Sequence, residues 1–245
     1  MDMGLRNKNR LKSSDHLFIW SVATLLVVVL YLCIHFVSTH GEESVNALDE
    51  RVGTVLAGRA EILERAGLRD EAIAKYEEAL AVEFHDPQQR VYTTHRLARL
   101  LIDSSAPEDA VAHLKTALQI DNTNNRSHSL LGDALADADR PVELLKAAQK
   151  WFAVSSNRND TGGMRWAKYQ EGRAFRDLGD KFSAVEAFKA SFEIAPSVQA
   201  AYQITMLSES LGSKSQAREY ARYVLEFGKA DSDSYRAAEA VLHRN

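Results

Sequence analysis

A single cysteine, Cys33, is all the thiol that 245 residues supply, so neither a disulfide framework nor a cysteine metal site can be built. Four prolines and twelve glycines are few; long helices suit that scarcity and a loop-rich β-fold does not. Positive charge is not in excess either: 30 basic against 34 acidic residues give −4, and because residues 1–40 hold 4 of the basic and 2 of the acidic ones, residues 41–245 carry −6. A segment that acidic is a poor general binder of nucleic-acid phosphates. The eight histidines are scattered, with no H-x3-H or H-E-x2-H pair, and no G-x4-G-K-[ST], G-x-G-x2-G or G-x-S-x-G sequence occurs. The expectation is a protein with no catalysis of its own, no cofactor, no metal and no nucleic-acid partner.

What is present begins with a polar stretch, Met1–His16, carrying Arg6, Lys8, Arg10 and Lys12, followed by Leu17–Val37, which runs without a charge. As a helix that run is roughly 30 Å long, enough for the hydrocarbon core of a bilayer. It exceeds the apolar region of a signal peptide and is followed by no small-residue cleavage pattern. Residues 17–37 are therefore expected to be a single transmembrane helix and a partner of the lipid bilayer. Residues 1–16 would be a cytoplasmic tail, and residues 38–52 a tether with the start of the first helix. The basic residues ahead of the run, against Glu42 and Glu43 behind it, place everything from Gly41 onward outside the cytoplasm, in a bacterium on the periplasmic side. Val45, Leu48, Val52, Val55 and Ile62 then fall near a three–four alternation, interrupted at Arg59. A long first helix fits them, with a short self-associating coil as the alternative.

From there the chain repeats. Within Arg165–Val198, Gly172 and Ala184 are small where two antiparallel helices would cross closely, Phe175 and Phe188 would fill the space between them, and Gly179 and Pro196 punctuate the helices. Aligning the small residue of each second helix gives Ala72, Ala110, Leu144, Ala184 and Ala217, separated by 38, 34, 40 and 33 residues. This pattern resembles that of the tetratricopeptide family, W-x2-L-G-x2-Y, A-x3-F and P over about 34 residues. The resemblance implies an all-α solenoid of about five helix–turn–helix units over residues 53–231, with residues 232–245 as a last amphipathic helix covering its end. Departures are several. The large first-helix aromatic is replaced by Leu56, Thr94, His128, Lys168 and Ala201, and Leu144 and Trp151 stand where small residues are expected. Ser105-x2-Glu108 and Ser213-x2-Gln216 read as capping boxes, and Ser155–Gly163 reads as the loop that absorbs the extra length between units three and four.

By the same resemblance, the first helix of each unit lines a concave side. The inward positions hold Tyr92, Arg96 and Arg99 in unit two, Arg126 in unit three, Trp166, Tyr169, Gln170 and Arg173 in unit four, and Tyr202 and Gln203 in unit five. Arginine beside tyrosine and tryptophan suits an extended peptide, since the guanidinium pairs with carboxylates and the rings contribute area at low entropy cost. Arg96, Arg99 and Arg173 are expected to form a basic strip. The function read from this is a membrane-anchored adaptor gathering protein or peptide partners outside the cytoplasm. The alternative is a self-assembling organiser of a membrane complex.

Overall fold

The four prolines show how the chain is cut into helices. Pro87, Pro107 and Pro141 each occupy the first position of a helix, where the missing N–H would have had no partner and the fixed φ is already helical, and Pro196 precedes another by two residues. The structure is a computed structural model that describes His35, residues 52–82, Phe84 and residues 86–244. The helices are α1 (residues 52–65), α2 (Arg69–Ala81), α3 (Pro87–Asp103), α4 (Pro107–Ile120), α5 (Asn125–Asp137), α6 (Pro141–Asn157), α7 (Thr161–Asp177), α8 (Lys181–Ile194), α9 (Val198–Ser210), α10 (Lys214–Phe227) and α11 (Asp233–His243).

These pair as α1–α2, α3–α4, α5–α6, α7–α8 and α9–α10, and each pair is joined by the same device. The second residue after the first helix adopts a positive φ: Gly67 at 78°, Ser105 at 59°, Asp139 at 53°, Gly179 at 82° and Gly212 at 75°. The next amide then reaches back over the last turn, Leu68 to the Leu63 carbonyl, Ala106 to Leu101, Arg140 to Leu135, Asp180 to Phe175 and Ser213 to Ser208. This satisfies carbonyls that would otherwise be orphaned at the helix end. The positive-φ residues are themselves 38, 34, 40 and 33 residues apart, the interval found for the small residues, which fixes the repeat register from an independent feature. Between pairs the turn recurs at Asn159, φ 53°, where the Asp160 amide reaches back to the Ser155 carbonyl, and side-chain caps open the next helix. Asp86, Asn124, Asp160, Ser197 and Ser232 accept from the first-turn amides of α3, α5, α7, α9 and α11.

The core runs as clusters passing from one pair to the next. Tyr76, Leu97, Leu101, Leu114, Leu131, Leu135 and Leu144 fill the first three pairs. Ala184, Val185, Phe188, Ile204 and Leu207 fill the fourth interface, and Ala217, Ala221 and Val224 of α10 meet Ala238 and Val241 of α11. Each buried leucine contributes about 1.5–3 kcal/mol. The unusual residues of pair three complement one another: Trp151 is buried where a small residue was expected, His128 replaces the expected aromatic, and the two rings stack at 5.3 Å and 8°. In pair four Lys168 lies over the ring of Phe152 at 4.7 Å.

Several expectations are corrected. No helix among the described residues is long and apolar enough to cross a membrane. The longest have 17 residues, roughly 25 Å at 1.5 Å per residue, and each carries charged residues on its exposed side. The fold class is therefore corrected from a transmembrane helix plus solenoid to the helical solenoid, and the single-pass placement with an extracytoplasmic domain is withdrawn with it. The segment Leu17–Val37, on which that expectation rested, lies outside the described residues except for His35. The loop expected over Ser155–Gly163 shrinks to Arg158, Asn159 and Asp160, the added length going into α6 and α7. Gly163 is needed there for close crossing, since a Cβ on it would stand 2.2 Å from Ser155 Oγ. Neither capping box forms: Ser105 occupies the positive-φ turn, and Ser213 makes no side-chain cap while Gln216 accepts from Ser208 Oγ at 2.9 Å.

Candidate functional site

Odd-numbered helices touch one another, α3 with α5, α5 with α7 and α9 with α11, and so form one inner surface. Every step along it is bridged by a polar link. Arg96 Nη2 and Nε donate to Glu64 Oε2 at 2.6 and 3.1 Å, joining α3 to α1, and Tyr76 Oη donates to the same oxygen at 2.9 Å. Burial, with the Glu64 carboxylate beside it, holds the Tyr76 hydroxyl above the usual phenol range. His95 Nε2 lies 2.7 Å from Ser127 Oγ, joining α3 to α5. Gln170 and Arg173 of α7 both donate to Asp133 of α5. Arg176 donates to Gln203 of α9 at 3.2 Å, and Arg244, just past α11, donates to Glu209.

This changes the reading of the inward residues. Arg96, Gln170, Arg173 and Gln203 are engaged in holding successive repeats together, and the carboxylates of Glu64 and Asp133 neutralise two members of the expected basic strip. A continuous run of free positive charge is therefore absent from the described inner surface. Arg99 and Arg126 are exposed and Tyr92 is half-exposed, with no side-chain hydrogen bond or ion pair for any of the three among the described residues. Arg126 acts on its neighbourhood through charge: with burial as the larger cause, it depresses the His95 imidazole to about 4. His95 and Ser127 are both buried, so this histidine–serine contact is a link between helices.

The aromatic residues do gather. Trp166 meets Tyr169 edge-on at 5.6 Å, with the Arg165 guanidinium 4.3 Å above its ring, and Tyr169 meets Phe188 at 5.2 Å. Burial raises the Tyr169 hydroxyl above its ordinary range. Beyond Tyr169 the surface opens into a pocket of about 330 Å³ shared by α7, α9 and the α10–α11 connection. Tyr169, Tyr202, Gln199 and Gln203 form one side, and Phe227, Lys229 and Ser232 the other. The second side was missed in the sequence because it comes from the connection after the last full repeat and has no place in the repeat pattern. Tyr92, Arg96, Arg99 and Arg126 are not in this pocket.

Solved structures share the arrangement. The chain is similar to the crystal structure of MamA, at 26% identity and a TM-score of 0.55 over 68% of this chain and 92% of that one. A thermophilic tetratricopeptide protein of Thermus thermophilus, TTC0263, matches at 18% identity and 0.55 over 80% and 98%. This chain folds as a tetratricopeptide-repeat protein. The apo form of RapI shares the tetratricopeptide architecture at 13% identity and 0.67, over 82% of this chain and 62% of that one. No family model matches the sequence, and no curated protein matches it.

Proposed function

We propose that this tetratricopeptide solenoid is a protein-interaction scaffold that holds an extended segment of its partner on the inner surface, at the Tyr169–Tyr202 pocket. The observation that carries the reading is the chemistry of that pocket. Two tyrosines and the mostly exposed Phe227 give apolar contact with little side-chain entropy to lose. Gln199, Gln203 and Ser232 offer donors and acceptors suited to a peptide main chain, and Lys229 stands at the edge as a cation with no acidic partner among the described residues. The polar links between repeats support it further, because they hold the two walls in place before any partner arrives. Exposed Tyr92, Arg99 and Arg126 extend the same surface toward the N-terminal repeats and belong to the proposed contact area.

Phe227→Ser and Tyr202→Ala test the proposal. Both should reduce recovery of the partners captured by the wild-type chain, with the helical melt retained for Phe227→Ser, which is mostly exposed. Undiminished recovery by both variants would refute it.

A further inference from the structure

A second site lies on the opposite side of the solenoid, between the even-numbered helices α4 and α6 with α5 as its floor. It is a groove of about 400 Å³. Leu118, Leu131, Leu135 and Ala147 make its base, and the Lys115–Glu143 ion pair at 3.1 Å spans it at one end. The open end is different in charge. Lys146 and Lys150 are one helical turn apart on the α6 wall, both exposed, and neither has an acidic partner among the described residues. Lys150 is near enough to join burial in holding the His128 imidazole below the usual histidine range. An apolar base under a cationic edge is thus built into a segment whose net charge is −6.

We infer that this groove docks an acidic peptide segment, inserting one large apolar side chain between α4 and α6 while carboxylates one turn apart meet Lys146 and Lys150. Charge complementarity selects the occupant. Against the acidic background of the domain, these two unpaired lysines attract such a segment, the apolar base beside them is what the other exposed cations Arg99 and Arg126 lack, and the i, i+4 spacing of the two ammonium groups matches carboxylates at the same spacing on a helical ligand. The apolar base removes the ligand's side chain from water, which charge alone cannot do. The site does not depend on the inner-surface pocket.

A direct test uses fluorescence anisotropy of the full chain with a short fluorescein-labelled glutamate–alanine peptide carrying one central phenylalanine. The expected result is saturable binding that weakens as salt is raised. It should be lost when the phenylalanine is replaced by serine or the glutamates by glutamine. Lys146→Glu with Lys150→Glu should weaken it by about tenfold or more, as reversal of two contacting charges does. Ala147→Met, which fills the base without altering charge, should weaken it as well, and Tyr202→Ala should leave it unchanged. Equal binding by the charge-reversed and wild-type chains would overturn the assignment, and so would equal binding of the serine peptide. Saturation by decanoate with no binding of the peptide would overturn it in favour of an acyl ligand.

Discussion

Gly172 of α7 lies against the face of the Phe188 ring of α8, so close that a Cβ on it would stand 2.7 Å from the ring's Cδ1. The contact sets how near the two helices of the fourth repeat approach, and Phe188 is fully buried on the other side of it. Gly172→Ala should therefore lower stability by about 1–3 kcal/mol, the usual cost of overfilling a packed core. Gly58, in the exposed part of α1 with nothing near it, is the control: Gly58→Ala should raise stability by about 0.5–1 kcal/mol. Opposite signs in chemical denaturation are the expected outcome.

The repeat turns give a second pair of changes. Asp139 holds a positive φ of 53° without being glycine, a conformation that disfavours a Cβ. Asp139→Gly should leave stability unchanged or raise it by about 1 kcal/mol, whereas Gly179→Val, at 82°, should lower it by about 1–2 kcal/mol or more. Thermal melts of the two variants check both directions.

Arg96 and Arg99 occupy the same inner helix one turn apart, yet differ in what they hold. Arg96→Ala leaves the Glu64 carboxylate and Tyr76 hydroxyl without their cation and should cost about 1–2 kcal/mol. Arg99→Ala, at an exposed position, should stay within about 0.5 kcal/mol. Equal effects in urea titrations would mean that the Glu64 link contributes nothing.

Stability should also depend on acidity in a window set by His95. Its imidazole is held neutral down to about 4 in the folded chain, whereas in the unfolded chain it takes up a proton near 6.5. The unfolded state therefore binds more protons between these values. The contribution is fully present above about pH 6.5, and up to about 3 kcal/mol is lost as pH falls to 4. His128, also depressed by burial, acts in the same direction. Asp121, Asp160 and Asp180, lowered by hydrogen bonds, lose their contribution only as pH drops below their unfolded value of about 3.9. His95→Gln should flatten the slope of stability against pH between 4 and 6.5, as read by urea midpoints at fixed pH.

The repeats were legible because one physical constraint recurs: Ala72, Ala110, Ala184 and Ala217 must be small for two helices to cross, and each is buried. Leu144 holds the same place without being small, buried in the core cluster that includes Leu131 and Leu135. What misled was composition read without register. Gly162 and Gly163 look like loop, yet both lie in the first turn of α7, and position 163 is glycine because Ser155 leaves no room for a side chain. Ser105 looks like a cap, yet it is the turn residue of its repeat. Arg96 and Arg173 read as part of a free basic strip because their partners lie a full repeat away, Glu64 being 32 residues before Arg96 and Asp133 40 before Arg173. An acid one repeat ahead of a basic residue is a signal that the sequence contains, and it becomes readable only after the repeat length is known. The Phe227–Ser232 wall has no such signal, since it lies where the repetition ends.

Site-specific photocrosslinking addresses the scaffold reading most directly. A photoreactive phenylalanine analogue replaces Gln199, exposed in the inner pocket, or Arg222, exposed on α10, in the chain expressed in its own cells. Crosslinks from position 199 to a distinct polypeptide, reduced by Tyr202→Ala and absent from position 222, are the expected result. Crosslinks of equal yield from both positions, or none from position 199, would contradict it.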